Sequence, residues 1–387
     1  MKSDKETAYI IDCKRTAIGS PHKSLKHCSA AQLASGVIRN IVERHSLKPS
    51  LLSSIVIGNT VSAGTGQNLA RQASHLAGIP FEVPAFVINN VCGSGVQSLI
   101  WGTQALLNEE QPFMITGATE SASQTPQLLS SNFDVPTDSL LFDGLKCSLS
   151  GKLMGEICED LAQEEKISRK AQDMYTLVSH QKACLARRDK KFKNEIVPVA
   201  VSGGPVYDHD ERPRETTSLE KLSLLPAAFR TGGTVTAGNS SAPSDGACAF
   251  LLSLKKSMEE HRLSPMARVV GYASIAVNPA RVFSEGVSAI PLCLNKAGLS
   301  LKDIDLFEIT EAFAAQAVYT QKKIGIPSER MNIHGGDVAL GHPLGTSGAR
   351  SLVTLIHALK STKKRMGLAY VAFGGGGAMA LVVESLS

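Results

Sequence analysis

Val87-Ile88-Asn89-Asn90-Val91-Cys92-Gly93-Ser94-Gly95 passes from an apolar run through a glycine-punctuated turn into a helical pattern. The run Ala85–Asn89 has strand character, and Ser94–Leu107 has the apolar spacing of a helix. A cysteine at such a turn sits beside a helix N-terminus, where unpaired N–H groups and the helix dipole favour a thiolate. The neighbouring glycines let a carbonyl approach the backbone, so the Cys92 amide could donate to an oxyanion. Taken alone, the same residues read equally as a small buried thiol in a tight turn.

Working outward, Ser29 is an N-cap for a helix through about Arg44, Ile55–Gly58 a strand, and Asn68–Ala77 a helix closed by Gly78. Phe113–Thr116 is the next strand. Short β-rich runs alternating with helical patterns make this an α/β layered chain. Ser94-Gly95-Val96-Gln97-Ser98-Leu99 is echoed by Ser347-Gly348-Ala349-Arg350-Ser351-Leu352. Each is followed by a helix, then a strand (Phe113–Thr116, Leu368–Phe373), then an expected small-residue turn (Gly117-Ala118, Gly374–Gly377). This order reads as a duplication, with two equivalent turns facing each other across a pseudo-two-fold axis. Between the halves, residues 118–244 are more polar and irregular, with one charged helix (Ser168–Asp189) and the turn-rich Ser202–Pro213. A long insertion of this kind usually carries function.

The second turn, Gly335-Gly336-Asp337-Val338-Ala339-Leu340-Gly341-His342-Pro343-Leu344-Gly345-Thr346-Ser347-Gly348, fixes His342 between glycine and proline. An imidazole there could take a thiol proton or donate to a thioester oxygen. A lone loop histidine is more often a surface residue; the repeat, which sets this turn opposite Cys92, shifts the balance toward function. The run Gly374-Gly375-Gly376-Gly377 lies between two apolar strands and reads as a tight hairpin within a core sheet.

Bulk properties exclude several classes. The 387 residues suit two or three packed units. A 43% hydrophobic and 19% charged composition is ordinary for a globular protein, and the apolar runs are too short to span a bilayer. The net charge of +5 comes with no nucleic-acid-binding module. Neither a secretory signal at Met1–Thr7 nor a peroxisomal address at Glu384–Ser387 is expected. Eight cysteines without CxxC pairs or metal-ligand spacing point to free thiols in a reducing cytoplasm, and to no metal.

These motifs together resemble the thiolase family along essentially the whole chain. Asn90-Val91-Cys92-Gly93-Ser94-Gly95 is similar to its nucleophile motif, and Gly66-Gln67-Asn68-Leu69-Ala70-Arg71-Gln72 to the helix start before it. Thr234-Val235-Thr236-Ala237-Gly238-Asn239-Ser240-Ser241 with Asp245-Gly246-Ala247 resembles the stretch lining the pantetheine channel. Glu311-Ala312-Phe313-Ala314 and Gly341-His342-Pro343-Leu344-Gly345 resemble the two C-terminal active-site loops. The resemblance implies a duplicated five-layer αβαβα core with an inserted loop domain. It divides the chain into residues 1–117 with about 245–266, the loop domain 118–244, and 267–387. It implies that Cys92 takes the acyl group from CoA, that His342 promotes thiolate formation and binds the thioester oxygen, and that the Cys92 and Gly374 amides form an oxyanion hole. Arg214, Leu225, Ala237, Ser241 and Phe313 are expected to line the CoA site, with Met154 beside it. Coenzyme A enters as substrate and product, with no covalently bound cofactor, and a homodimer is expected, with a tetramer left open by the unusual segment 126–152.

Two positions depart from the family pattern. Ala372 stands where a second cysteine serves as the acid/base for the α-proton, and Thr310 stands where an asparagine holds a water in an oxyanion hole. Asp337 replaces a small residue and is expected to cap a helix or pair with Arg350, with a stand-in base as the lesser alternative; His334 and Leu153 are lesser changes. The leading expectation is an acyl-CoA C-acyltransferase of the thiolase type. A protein that acylates Cys92 without efficient condensation, and a non-catalytic CoA-thioester binder, remain as alternatives. A cysteine-protease reading leaves His342 and the glycine run unexplained.

Overall fold

The computed structural model describes residues 7–108, 112–129, 135–201 and 204–386; the polar start Met1–Glu6 and parts of 126–152 and 202–213 lie outside them. The first half runs β1 (Ala8–Thr16), α1 (Ala30–Arg44), β2 (Leu52–Gly58), α2 (Leu69–Leu76), β3 (Ala85–Ile88), α3 (Ser94–Leu106) and β4 (Phe113–Ser121). After the helices α4 (Met154–Glu164) and α5 (Arg169–Arg188) come β5 (Asp245–Leu254) and β6 (Ala267–Ala276). The chain closes with α6 (Ala289–Ala297), β7 (Leu306–Ile309), α7 (Ala314–Ile324), α8 (Ser347–Thr362), β8 (Met366–Phe373) and β9 (Gly377–Ser385).

Local chemistry accounts for several boundaries. Ser29 Oγ accepts from the Gln32 N–H and the Gln32 side chain accepts from the Ser29 N–H, a reciprocal cap that starts α1. Asn68 caps α2 through the Arg71 N–H. Helix α4 was not expected: it opens at Leu153, which supplies no side-chain cap, and Glu156 reaches back to the Leu153 N–H instead. The expected turn at Gly117-Ala118 is also absent. Strand β4 continues through both residues to Ser121, pairing Gly117 with Ala249 so closely that a Cβ at 117 would overlap the Cys248 carbonyl.

The strands form one continuous sheet in the order β7-β8-β9-β6-β1-β5-β4-β2-β3, joined at the middle by two residue pairs between β1 and β6. On either side of that seam the topology repeats. In β1-β5-β4-β2-β3 the first two junctions are antiparallel and the last two parallel. In β6-β9-β8-β7 the pattern is the same, and a parallel bridge from Phe307 to Met331 takes the place of β3. Three apolar clusters separate the layers. One packs α1 and α2 on the outer face of the first half, and another packs α6 and α7 on the outer side of the second. The third holds α3 and α8 between the two half-sheets, which gives the αβαβα order. Helix α8 is buried from Ser347 through Leu359, so its polar members need internal partners: Arg350 donates to Asp337, and His357 Nε2 meets the Cys13 carbonyl at 3.0 Å.

The central helices cross where both carry glycine. A Cβ on Gly95 would sit 2.6 Å from Ala349 Cβ, and one on Gly348 would sit 2.8 Å from Val96 Cγ2. This reciprocal contact is the physical form of the repeat read in the sequence, and it draws the starts of α3 and α8 together.

Candidate active site

The turn before α3 is strained on purpose by its surroundings. Val91 has φ of +48°, a left-handed conformation that is costly for a β-branched residue. The conformation is held from several sides: Asn89 Oδ1 accepts from the Val91 N–H, Ser94 Oγ donates to the Val91 carbonyl, and the Asn90 N–H donates to Ser94 Oγ. Gly93 follows, with Phe373 packed so close that a Cβ would lie 2.7 Å from its ring. The result places Cys92 immediately before α3, buried to 8% exposure at the wall of a small cavity.

The partner side chain comes from the second half. The His342 N–H donates to the Ala242 carbonyl, and Gly341 adopts φ of +106° against Ser244, which only glycine accommodates readily. His342 Nε2 thereby lies 3.3 Å from Cys92 Sγ. Burial alone would lower the imidazole pKa, but the negative charge offered by Cys92 and Asp337 outweighs it, and the group is pushed up to about 10. A protonated imidazole at this distance is the arrangement that stabilises a cysteine thiolate.

Gly374 closes the same cavity, next to Val91 and Met154, and opens the hairpin between β8 and β9, in which Gly375 and Gly376 both have positive φ. Ser241 donates through its hydroxyl and its N–H to the Ala312 carbonyl, which ties the segment before β5 to the loop preceding α7. Phe313 forms the adjoining wall, edge-on to both Phe229 and Phe283. Helix α5 braces this loop from outside: Tyr175 and Ser179 donate to the buried Glu311 carboxylate, which also accepts from Asn332 and the Val338 N–H.

Six of the residues singled out in the sequence thus meet at one cavity: Cys92, His342, Gly374, Met154, Ser241 and Phe313. Ala372 lies in its wall, a methyl group where a proton-transfer group was looked for. Thr310 lies behind the wall, with its hydroxyl 3.5 Å from Ser351 Oγ and its N–H bonded to the Tyr370 carbonyl. Arg214, Leu225 and Ala237 are away from the cavity lining; Arg214 and Ala237 are exposed and Leu225 is half-buried beside Gly238. Sequence reasoning missed Phe283 in the wall, since it stands in no motif that marks it, and did not single out Leu344, although it lies in the loop motif that holds His342. It foresaw the Asp337–Arg350 pair, found here at 3.0 Å, but not that Asp337 also faces His342.

The strand–turn–helix cysteine, the histidine from the duplicated turn and the glycine hairpin over one cavity define an acyl-transfer enzyme of the two-fold α/β type. Family models for the thiolase N-terminal and C-terminal domains match residues 8–256 and 263–385, and the chain belongs to the thiolase family. It is 38% identical to the acetyl-CoA acetyltransferase of Allochromatium vinosum over 98% of this chain and 100% of that one. The crystal structure of the Bacillus anthracis acetyl-CoA acetyltransferase superposes with a TM-score of 0.95 at 33% identity, covering 98% of this chain and 99% of that one. The Acat5 thiolase of Ascaris suum, solved in complex with coenzyme A, gives 0.93 at 35% identity, covering 98% and 100%.

Proposed function

We propose that Cys92 carries the acyl group in an acyl-CoA C-acyltransferase reaction of the thiolase type, with His342 as its proton partner. The observation that carries this reading is the 3.3 Å contact between His342 Nε2 and Cys92 Sγ at a cavity that Gly374 also lines. In the first half-reaction the Cys92 sulfur attacks the thioester carbonyl and the carbonyl–sulfur bond to CoA breaks. CoA leaves as the thiol with the proton held by His342. The Cys92 and Gly374 amides are the proposed donors to the oxyanion, which needs fixed N–H groups in a water-poor site. Coenzyme A is the proposed acyl donor and product, in keeping with the CoA-bound Ascaris relative. Its channel is assigned to Ser241, Phe313 and Met154 near the reacting sulfur, with Leu225, Ala237 and the exposed Arg214 farther out, where a cation suits an anionic ligand.

Among the described residues no helix is long and apolar enough to cross a membrane. We place the protein in the cytoplasm, in keeping with its free cysteines. A homodimer is proposed through the edge strand β3 and α3, which leave Phe86 and Trp101 about half exposed (50% and 54%), an unusual display of aromatic surface for a monomer.

Intact-protein mass spectrometry after incubation with acetyl-CoA tests the assignment. An acetyl adduct is expected on the native chain, mapped to Cys92 and absent from Cys92→Ala. Labelling that persists in Cys92→Ala overturns it.

A further inference from the structure

We propose that Asp337 is a positioning residue for His342, holding the imidazole with a proton on Nδ1 so that Nε2 is the atom that exchanges a proton with Cys92. The inference rests on the reading of Cys92 and His342 as the reacting pair. It starts from two orphaned atoms. Asp337 is wholly buried, and one of its oxygens, Oδ2, is taken by Arg350 (3.0 Å) and by the Glu311 N–H (3.1 Å). The other, Oδ1, has no hydrogen-bond partner among the described residues, and neither has His342 Nδ1. The two lie 3.8 Å apart and face each other. A buried carboxylate oxygen and a buried ring nitrogen left unpaired are each costly, and a closure of under about 1 Å satisfies both at once.

The geometry also fixes which atoms can do this. Arg350 and the Glu311 N–H lock the carboxylate plane, so Oδ1 is the only oxygen turned to the ring. With Nδ1 carrying the proton, the neutral imidazole presents a bare Nε2 lone pair to the sulfur. In the charged state Nε2 donates to it. The Asp337 side of this chain faces Arg350, Glu308, Glu311 and Tyr175, and the His342 side faces Cys92, with Arg212 packed against the neighbouring Gly341. Burial pushes the Asp337 carboxyl up, but Arg350 and His342 outweigh it and hold it below the ordinary carboxylate range, so it is charged at neutral pH. After acyl transfer has taken the His342 proton to CoA, that charge favours the ring's return to the protonated form.

The test uses nitrogen-15-labelled histidine and NMR, with no CoA present, so its outcome is independent of whether acyl transfer is read correctly. Cys92→Ala removes the sulfur and isolates the carboxylate. We expect the His342 midpoint in Cys92→Ala to exceed that in Cys92→Ala/Asp337→Asn by about one pH unit or more, and the neutral ring to be the Nδ1–H tautomer. A purely structural Asp337, acting through Arg350, would lower the thermal midpoint of the double variant and leave both readings unchanged. Equal midpoints overturn the proposal. Should the double variant not fold, the tautomer in Cys92→Ala decides: an Nε2–H ring facing the sulfur position overturns the proposal, and an Nδ1–H ring supports it.

Discussion

At the scale of single residues, the cavity brings Cys92 and His342, the proposed acylation pair, together with the methyl group of Ala372. Forming or cleaving a ketoacyl thioester requires a proton to move at the α-carbon, and Ala372, which lines the cavity where the family resemblance expects an acid/base cysteine, offers only a methyl group. General acid–base groups commonly contribute about 10²–10⁴-fold. Ala372→Cys is therefore expected to speed acetoacetyl-CoA thiolysis by about 10²-fold or more while leaving acetylation of Cys92 within a few-fold, as a spectrophotometric assay beside mass spectrometry would register. No gain in thiolysis would mean that another group already moves this proton. Residue-scale legibility followed the chemistry. Cys92 and His342 announce themselves because glycines and a proline bracket a reactive side chain. Phe283 sits opposite them only because β8, α7 and the segment before α6 pack together, which no local pattern in the sequence encodes.

At the scale of elements, the paired helices α3 and α8 decide how closely the two turns approach. Their crossing depends on the absence of a side chain at Gly95, where a Cβ would also come within 2.9 Å of Ala118 Cβ. Gly95→Ala is predicted to destabilise the protein by roughly 1–3 kcal/mol through overpacking. Gly36 offers the contrast: it lies inside α1, and a Cβ there would meet nothing within 4 Å. Gly36→Ala is predicted to stabilise by about 0.5–1 kcal/mol through helix propensity alone. Urea denaturation of both variants checks the opposite signs. Elements whose ends carry a chemical signal were read well, as with α1 and its reciprocal cap. Helix α4 was missed because Leu153 gives no start signal, and β4 was cut short because Gly117-Ala118 looks like a turn. In the fold that glycine serves close strand packing instead.

At the scale of the whole molecule, the segment between the halves has its own titration. His180 on α5 is buried and accepts a hydrogen bond at Nδ1 from the Arg214 N–H. Burial first, then Arg214 and Arg212, push its pKa down to about 4. The unfolded chain binds this proton near pH 6.5 and the folded one near 4, so the contribution is present above about 6.5 and lost as pH falls through that window. Between pH 7 and 5 the native protein is expected to lose roughly 1–2 kcal/mol more stability than His180→Gln, measured by urea unfolding at each pH. The large-scale plan was the most legible level. The echo of Ser94–Leu99 in Ser347–Leu352 foretold the duplicated sheet and the approach of the Cys92 and His342 turns, though not the fate of Gly117-Ala118, which continues β4 instead of turning. The seam between β1 and β6 left no such trace, because it rests on two residue pairs, Tyr9 with Arg268 and Ile10 with Ala267, that no local pattern marks.

Cys92 and His342, the proposed reacting pair, are separated by 250 positions along the chain, one member in each half. Cys92 is therefore synthesised long before His342, and in the growing polypeptide it has only the ordinary reactivity of a free thiol. The contact between them forms only when the second half has docked on the first. The site thus doubles as a built-in report of assembly: in a refolding experiment, the return of the native Cys92 alkylation rate would time the closing of the two halves, separately from the earlier return of helical signal.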